Sequence, residues 1–87
     1  MRILLHPKAA EYLMKSSDDH RSILKQRLHE LEDQPEKKGK RLKPSPYYSL
    51  RIGDYRAIYM VDQVKAQVVI LYIGHRKDVY DDFDKIF

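Results

Sequence analysis

The chain has 87 residues, carries 17 lysines and arginines against 13 aspartates and glutamates for a formal net charge of +4, and contains no cysteine. A chain this short makes a single domain, residues 1–87, that buries only about 60% of its unfolded surface, which excludes a separate cofactor-binding domain. The lack of cysteine excludes disulfide staples, thiolate metal sites and a thiol nucleophile, and it suits a reducing cytoplasm.

Arg2 to Leu5 reads as a short strand stopped by Pro7, too brief an apolar stretch for a signal peptide, and no later segment is long enough to span a bilayer. Pro7 suits the first turn of a helix, where its missing N–H costs nothing, and Ala9, Ala10, Leu13 and Met14 follow at helical spacing. Ser16-Ser17-Asp18-Asp19 interrupts with capping residues, and a second helix follows with Leu24, Leu28 and Leu31 on one stripe and Ile23 beside it, ended by Pro35. The two helices form a hairpin with a largely charged outer face.

Residues Glu36 to Pro46 are polar and basic, punctuated by Gly39, Pro44 and Pro46, and read as a connecting loop. The period then changes. Tyr48, Leu50 and Ile52 alternate with Tyr47, Ser49 and Arg51, which predicts a strand with one apolar face. Gly53-Asp54 reads as a two-residue hairpin turn, followed by a strand from Tyr55 to Val61 and a turn over Asp62 to Lys65. Ala66 to Ile73 is apolar on both faces, as a covered central strand should be, and Gly74 ends it. From Asp78 onward Val79, Phe83 and Ile86 fall at helical spacing and predict a short terminal helix. The expected architecture is α+β: an N-terminal strand and helical hairpin packed on an antiparallel sheet, with a short C-terminal helix.

With Gly53-Asp54 as the turn, Arg51 falls opposite Arg56, both pointing away from the Tyr48, Leu50 and Ile52 face. Like charges opposed on a sheet are unfavourable unless an anion lies between them, although such a pair can also splay into water. The antiparallel return of the last strand brings His75 and Arg76 to the same sheet end, with the face taken by His75 left open. Tyr80 is one helical turn beyond Arg76. Lys40, Arg41 and Lys43 add a basic segment that is either a solvated loop or part of an RNA-binding surface with Arg51.

These residues suit work on an RNA backbone. Attack of a ribose 2′-hydroxyl on the adjacent phosphate builds negative charge that guanidinium groups stabilise, and they hold their protons at neutral pH. A neighbouring imidazole exchanges protons near neutrality, and an aromatic ring stacks on a splayed base. The alternative reading of Tyr80 is an anchor of its helix against the sheet. Tyr55, Tyr59 and Tyr72 lie within strands and read as packing residues, while His6, His20 and His29 read as surface or capping residues. The histidines have no ligand spacing, so no metal and no cofactor is expected.

The stretch Leu50-Arg51-Ile52-Gly53-Asp54-Tyr55-Arg56-Ala57-Ile58-Tyr59, with Ile73-Gly74-His75-Arg76-Lys77-Asp78-Val79-Tyr80, resembles the RelE/ParE superfamily of bacterial and archaeal toxins, on its RelE-like side. The resemblance implies a RelE-like fold and the toxin of a type II toxin–antitoxin pair. It implies an mRNA interferase, a metal-independent endoribonuclease that cuts messenger RNA in the ribosomal A site and leaves a 2′,3′-cyclic phosphate. By the same resemblance Arg56 stabilises the scissile phosphate, Arg76 lies near the leaving group, and Tyr80 stacks on the substrate nucleotide. A RelB-like antitoxin is the implied partner, with the free toxin a monomer and the complex a hetero-oligomer. The sequence departs from the family pattern at Tyr47 and Ser49, where the best-studied branch has lysines, one of them the general base. His75 is one candidate to replace it, and Lys40 or Lys43 from the loop are others. Two alternatives share the fold: a ParE-like inhibitor of DNA gyrase, and a catalytically weak RNA- or ribosome-binding homologue.

Overall fold

A computed structural model describes residues 1–87. Strand β1 (Arg2–Leu5) leads into helix α1 (Pro7–Lys15), which starts on Pro7 with the His6 ring accepting the Lys8 backbone N–H at 3.1 Å. Ser17 caps helix α2 (Asp18–His29), its hydroxyl accepting the His20 N–H at 3.3 Å, with Asp18 and Asp19 at the positive end of the helix dipole. Arg21 fastens the two helices together. Its guanidinium donates to the carbonyls of Leu13, Met14 and Ser16 at 2.7, 3.2 and 2.8 Å, at the carbonyl-rich end of α1.

The segment after α2 is more ordered than a loop. A single 3₁₀ turn (Glu30–Glu32) is followed by the one-turn helix α3 (Pro35–Lys38) and a two-residue strand, β2 (Lys40–Arg41). The expectations of a second helix ended by Pro35 and of a connecting loop over Glu36 to Pro46 are corrected here: α2 ends at His29 and Pro35 opens α3, and the cause is tertiary. The buried Tyr59 hydroxyl donates to the Pro35 carbonyl at 2.7 Å, holding α3 against the sheet. Gly39 then passes so close that a β-carbon there would lie 2.8 Å from the Ser49 carbonyl oxygen and press on the Tyr59 hydroxyl. Helical or strand periodicity cannot register so short a segment.

Strands β3 (Tyr48–Ile52), β4 (Tyr55–Asp62) and β5 (Gln67–His75) form the expected meander, and Gly53 turns the first hairpin with a φ of +61°. The five strands lie in the order β1-β5-β4-β3-β2, with β1 parallel to β5 and the others antiparallel. The sheet is therefore mixed rather than wholly antiparallel. Strand β5 also runs through Gly74 to His75 instead of stopping before it.

One face of the sheet carries the main core. Ala9, Leu13, Leu24, Leu28 and Leu31 from the helices pack on Leu50, Ile52, Ala57, Tyr59, Val68, Ile70 and Ile73. The other face is covered in part by helix α4 (Val79–Ile86), whose Val79 and Phe83 pack on Ile58 and Leu71. No helix is long and apolar enough to cross a membrane.

Candidate active site

The uncovered remainder of that second face carries the arginines. Arg51 pairs directly with Arg56 across the β3–β4 ladder, as the hairpin geometry predicts, and Arg56 pairs on its other side with Gly74. The glycine leaves the Arg56 side chain without a neighbour on β5. It also lets α4 start close by, since a β-carbon at Gly74 would lie 3.4 Å from both the Val79 side chain and the Tyr72 ring.

Ser49 is the hub of this face. It is 2% exposed, on the same side of β3 as Arg51. The Arg56 guanidinium donates to its Oγ at 3.4 Å, and the Tyr80 hydroxyl donates to the same oxygen at 3.1 Å. A serine hydroxyl can accept twice and still donate once, so one atom aligns both groups. Tyr80 comes from the first turn of α4 and is 37% exposed, with its hydroxyl turned inward and part of its ring open to solvent. Ser49 thus occupies a linking position that residue type alone did not announce. Its signal in the sequence was placement, in alternation with Arg51 on the strand feeding the hairpin.

Tyr47, on the same side of β3, lies under α4 with its ring edge-on to Phe83 at 5.1 Å, and serves packing. Arg76 stands at the tip of the sheet. Its backbone N–H donates to the Asp54 carbonyl at 2.8 Å and its Nε lies 3.8 Å from the Asp54 carboxylate, which tethers it beside the β3–β4 turn. Arg51 is exposed, its Nε donating to the Gly53 carbonyl at 3.2 Å.

His75 is separated from this set. It pairs with Tyr55, their rings 5.4 Å apart, on the face that the helical hairpin covers, and the Tyr55 ring also lies 4.4 Å from that of His20. The reason is a β-bulge. Tyr59 pairs with Ile70 but its neighbour Ile58 pairs with Tyr72, so Leu71 is an extra residue in β5. Strict alternation from Val68 and Ile70 would put His75 on the Arg56 side. The extra residue reverses the phase, sends Ile73 into the main core and leaves Gly74 beside Arg56.

The basic segment divides. Lys40 pairs with Ser49 and so shares its face, whereas Arg41 pairs with Tyr48 and donates to the Ser45 carbonyl at 3.3 Å. Lys43 is exposed in the turn that follows. No group of three or more His, Asp or Glu side chains is gathered in a metal-ligating arrangement. A groove of about 490 Å³ lies elsewhere, between α1 and the end of α4, and contains none of the arginines.

This arrangement holds a central guanidinium by a buried hydroxyl, sets an accessible aromatic ring beside it and flanks it with further cations. Guanidinium groups of this kind pair with phosphate oxygens, and an open aromatic ring offers a face on which a base can stack. Comparison with known proteins agrees with the fold. The family profile of the ParE toxin of type II toxin–antitoxin system, parDE, matches residues 3–80. The structure is similar to a chain of the toxin–antitoxin complex RelBE2 from Mycobacterium tuberculosis (TM-score 0.76, 27% identity, covering 86% of this chain and 96% of that one). It is also similar to a chain of the intact E. coli RelBE toxin–antitoxin complex (TM-score 0.74, 26% identity, 85% and 94% covered). The isolated E. coli RelE toxin shares the fold over nearly the whole length (TM-score 0.75, 23% identity, 98% and 96% covered). No curated protein sequence matches the chain.

Proposed function

This chain belongs to the ParE toxin family of type II toxin–antitoxin systems, within the RelE/ParE superfamily, and we propose that it is a ribosome-dependent endoribonuclease acting on messenger RNA in the A site. The observation that supports this reading is the convergence of Arg56, Ser49 and Tyr80 on one open face. Arg56 stabilises the charge that grows on the phosphate as the 2′-hydroxyl attacks. Arg76 adds a second guanidinium from the sheet tip. The Tyr80 ring stacks on a neighbouring base while its hydroxyl is held by Ser49. Lys40, Arg41, Lys43 and Arg51 contribute to the electrostatic hold on the RNA backbone.

An antitoxin is the partner of such a toxin. Relatives from Mycobacterium tuberculosis and E. coli are known as toxin–antitoxin complexes, and a RelB-like antitoxin forming a hetero-oligomer with an otherwise monomeric toxin fits here. The test of the activity is direct: purified protein is added to ribosomes carrying a defined message, and new 5′ ends are mapped. Cuts inside the A-site codon are expected, and a message left intact overturns the reading.

The family profile itself favours a second reading, a ParE-like inhibitor of DNA gyrase. That function requires no converging arginines and tyrosine. It predicts loss of supercoiling by purified gyrase, an effect the nuclease reading does not predict.

A further inference from the structure

The open face has a gap in its chemistry. Three arginines stand on or beside it, and a guanidinium stabilises charge but does not give up its proton at neutral pH. The Ser49 hydroxyl already accepts from both Arg56 and Tyr80, and the imidazole of His75 lies on the other side of the sheet. A departing ribose 5′-oxygen nevertheless needs a proton. Sheet register puts one amine in place to give it. Lys40 pairs with Ser49 and Ser49 with Ile58, two residues along β4 from Arg56, so Lys40 and Arg56 are on one face, separated by two inter-strand spacings and two residues of strand rise, about 12 Å between backbones. Their side chains are long enough to meet on a shared phosphate.

The placement of Lys40 is built in. Strand β2 has only two residues, yet its register is set by the residue before it, Gly39, which fits against the Ser49 carbonyl and the Tyr59 hydroxyl. Tyr59 in turn grips the Pro35 carbonyl at 2.7 Å, so α3 and β2 are anchored at both ends of their short run. Lys40 itself is exposed, free to reach toward a ligand.

We propose that Lys40 is a catalytic residue of this site, the proton donor to the leaving 5′-oxygen, delivered onto the arginine face by the Gly39–Tyr59 anchor. The proposal rests on the nuclease reading. In the step, the 2′-oxygen forms its bond to phosphorus and loses its proton to water, while the bond from phosphorus to the 5′-oxygen breaks. The electron pair of that bond goes to the 5′-oxygen, which takes a proton from the Lys40 ammonium. The products are a 2′,3′-cyclic phosphate and a 5′-hydroxyl, and the neutral amine regains its proton from solvent. No oxidant, metal or cofactor enters the balance.

The test compares the full-length wild type with Lys40→Ala, Lys40→Arg, Arg56→Ala and Lys25→Ala on programmed ribosomes. Binding is followed by co-sedimentation. Lys40→Ala is expected to lower the single-turnover rate about 100-fold with binding held within a few-fold, and Lys40→Arg not to restore it. Lys25 lies on α2, across the sheet, and its loss should change nothing. A message with sulfur in place of the 5′-oxygen at the cut site supplies a leaving group that needs no proton. On it Lys40→Ala should cut nearly as fast as wild type while Arg56→Ala stays slow. Full activity of Lys40→Ala or of Lys40→Arg on the ordinary message, loss of binding that accounts for the rate, or failure of sulfur to rescue would each overturn the role of Lys40 while leaving the nuclease reading intact. A wild type that cuts neither message removes both.

Discussion

The Arg56 guanidinium and the Tyr80 hydroxyl converge on a single atom, Oγ of Ser49, at 3.4 and 3.1 Å. One residue comes from the middle of the sheet and the other from a helix 24 positions later, and a buried serine makes them one unit. Ser49→Ala should therefore reduce cleavage about 10-fold by loosening both groups, while costing only about 1 kcal/mol of stability for the lost hydrogen bonds. Single-turnover cleavage alongside denaturant unfolding checks it. A rate unchanged by the substitution would mean that the two side chains hold their places without the serine.

Arg51 and Arg56 oppose each other with no acidic side chain bonded to either. Like charges in that relation destabilise a ladder by a few tenths of a kcal/mol, more at low salt. Arg56→Ala is thus expected to fold as well as wild type or slightly better, and to lose about 100-fold or more of its cleavage rate. Thermal unfolding at two salt concentrations, read beside activity, separates this from a simple folding defect. A marked loss of stability would show that Arg56 is structural.

His75 lies on the face opposite Arg56, packed on Tyr55. His75→Ala should leave cleavage within about three-fold of wild type and cost about 1 kcal/mol in lost packing. The assay is the same ribosomal cleavage, and a loss as large as that of Arg56→Ala would show that the imidazole reaches the reacting phosphate after all.

Tyr59 is fully buried, and burial pushes its hydroxyl up to about 12 from an ordinary 10. The folded chain then holds a proton that the unfolded chain releases above pH 10. The stabilisation is complete below pH 10 and is lost as the pH rises toward 12, by up to about 1.4 kcal/mol per pH unit. Unfolding curves should therefore weaken more steeply over that window for wild type than for Tyr59→Phe. At neutral pH the same variant should cost about 1–2 kcal/mol, because the Pro35 carbonyl loses its donor. Parallel pH slopes for the two proteins would refute the assignment.

Much of this was legible in the residues. The starts of α1 and α2 followed from Pro7 and Ser17, and the opposition of Arg51 and Arg56 followed from counting outward from Gly53-Asp54. What was not legible came from contacts distant in sequence. Lys40 and Arg41 have no strand pattern of their own and become a strand only because Gly39 can lie against Tyr59 and Ser49. The face of His75 depended on an extra residue at Leu71, and an apolar run gives no sign of where its phase slips. Ser49 looked like a vacancy where a cation was expected, because its worth lies in what it orients.

The bulge at Leu71 also has a genetic meaning. Everything after it in β5 is set by a count of one: loss of Leu71 itself would only restore a regular ladder with the same pairs, whereas deletion of a single codon at Tyr72 or Ile73, with the bulge kept, acts as a half-turn of the strand end rather than as the loss of a side chain. Such a deletion would carry His75 to the side of Arg56 and withdraw Gly74, exchanging an open trough for an imidazole without altering any residue of the site. Within this architecture, strand length is itself a heritable variable of the chemistry.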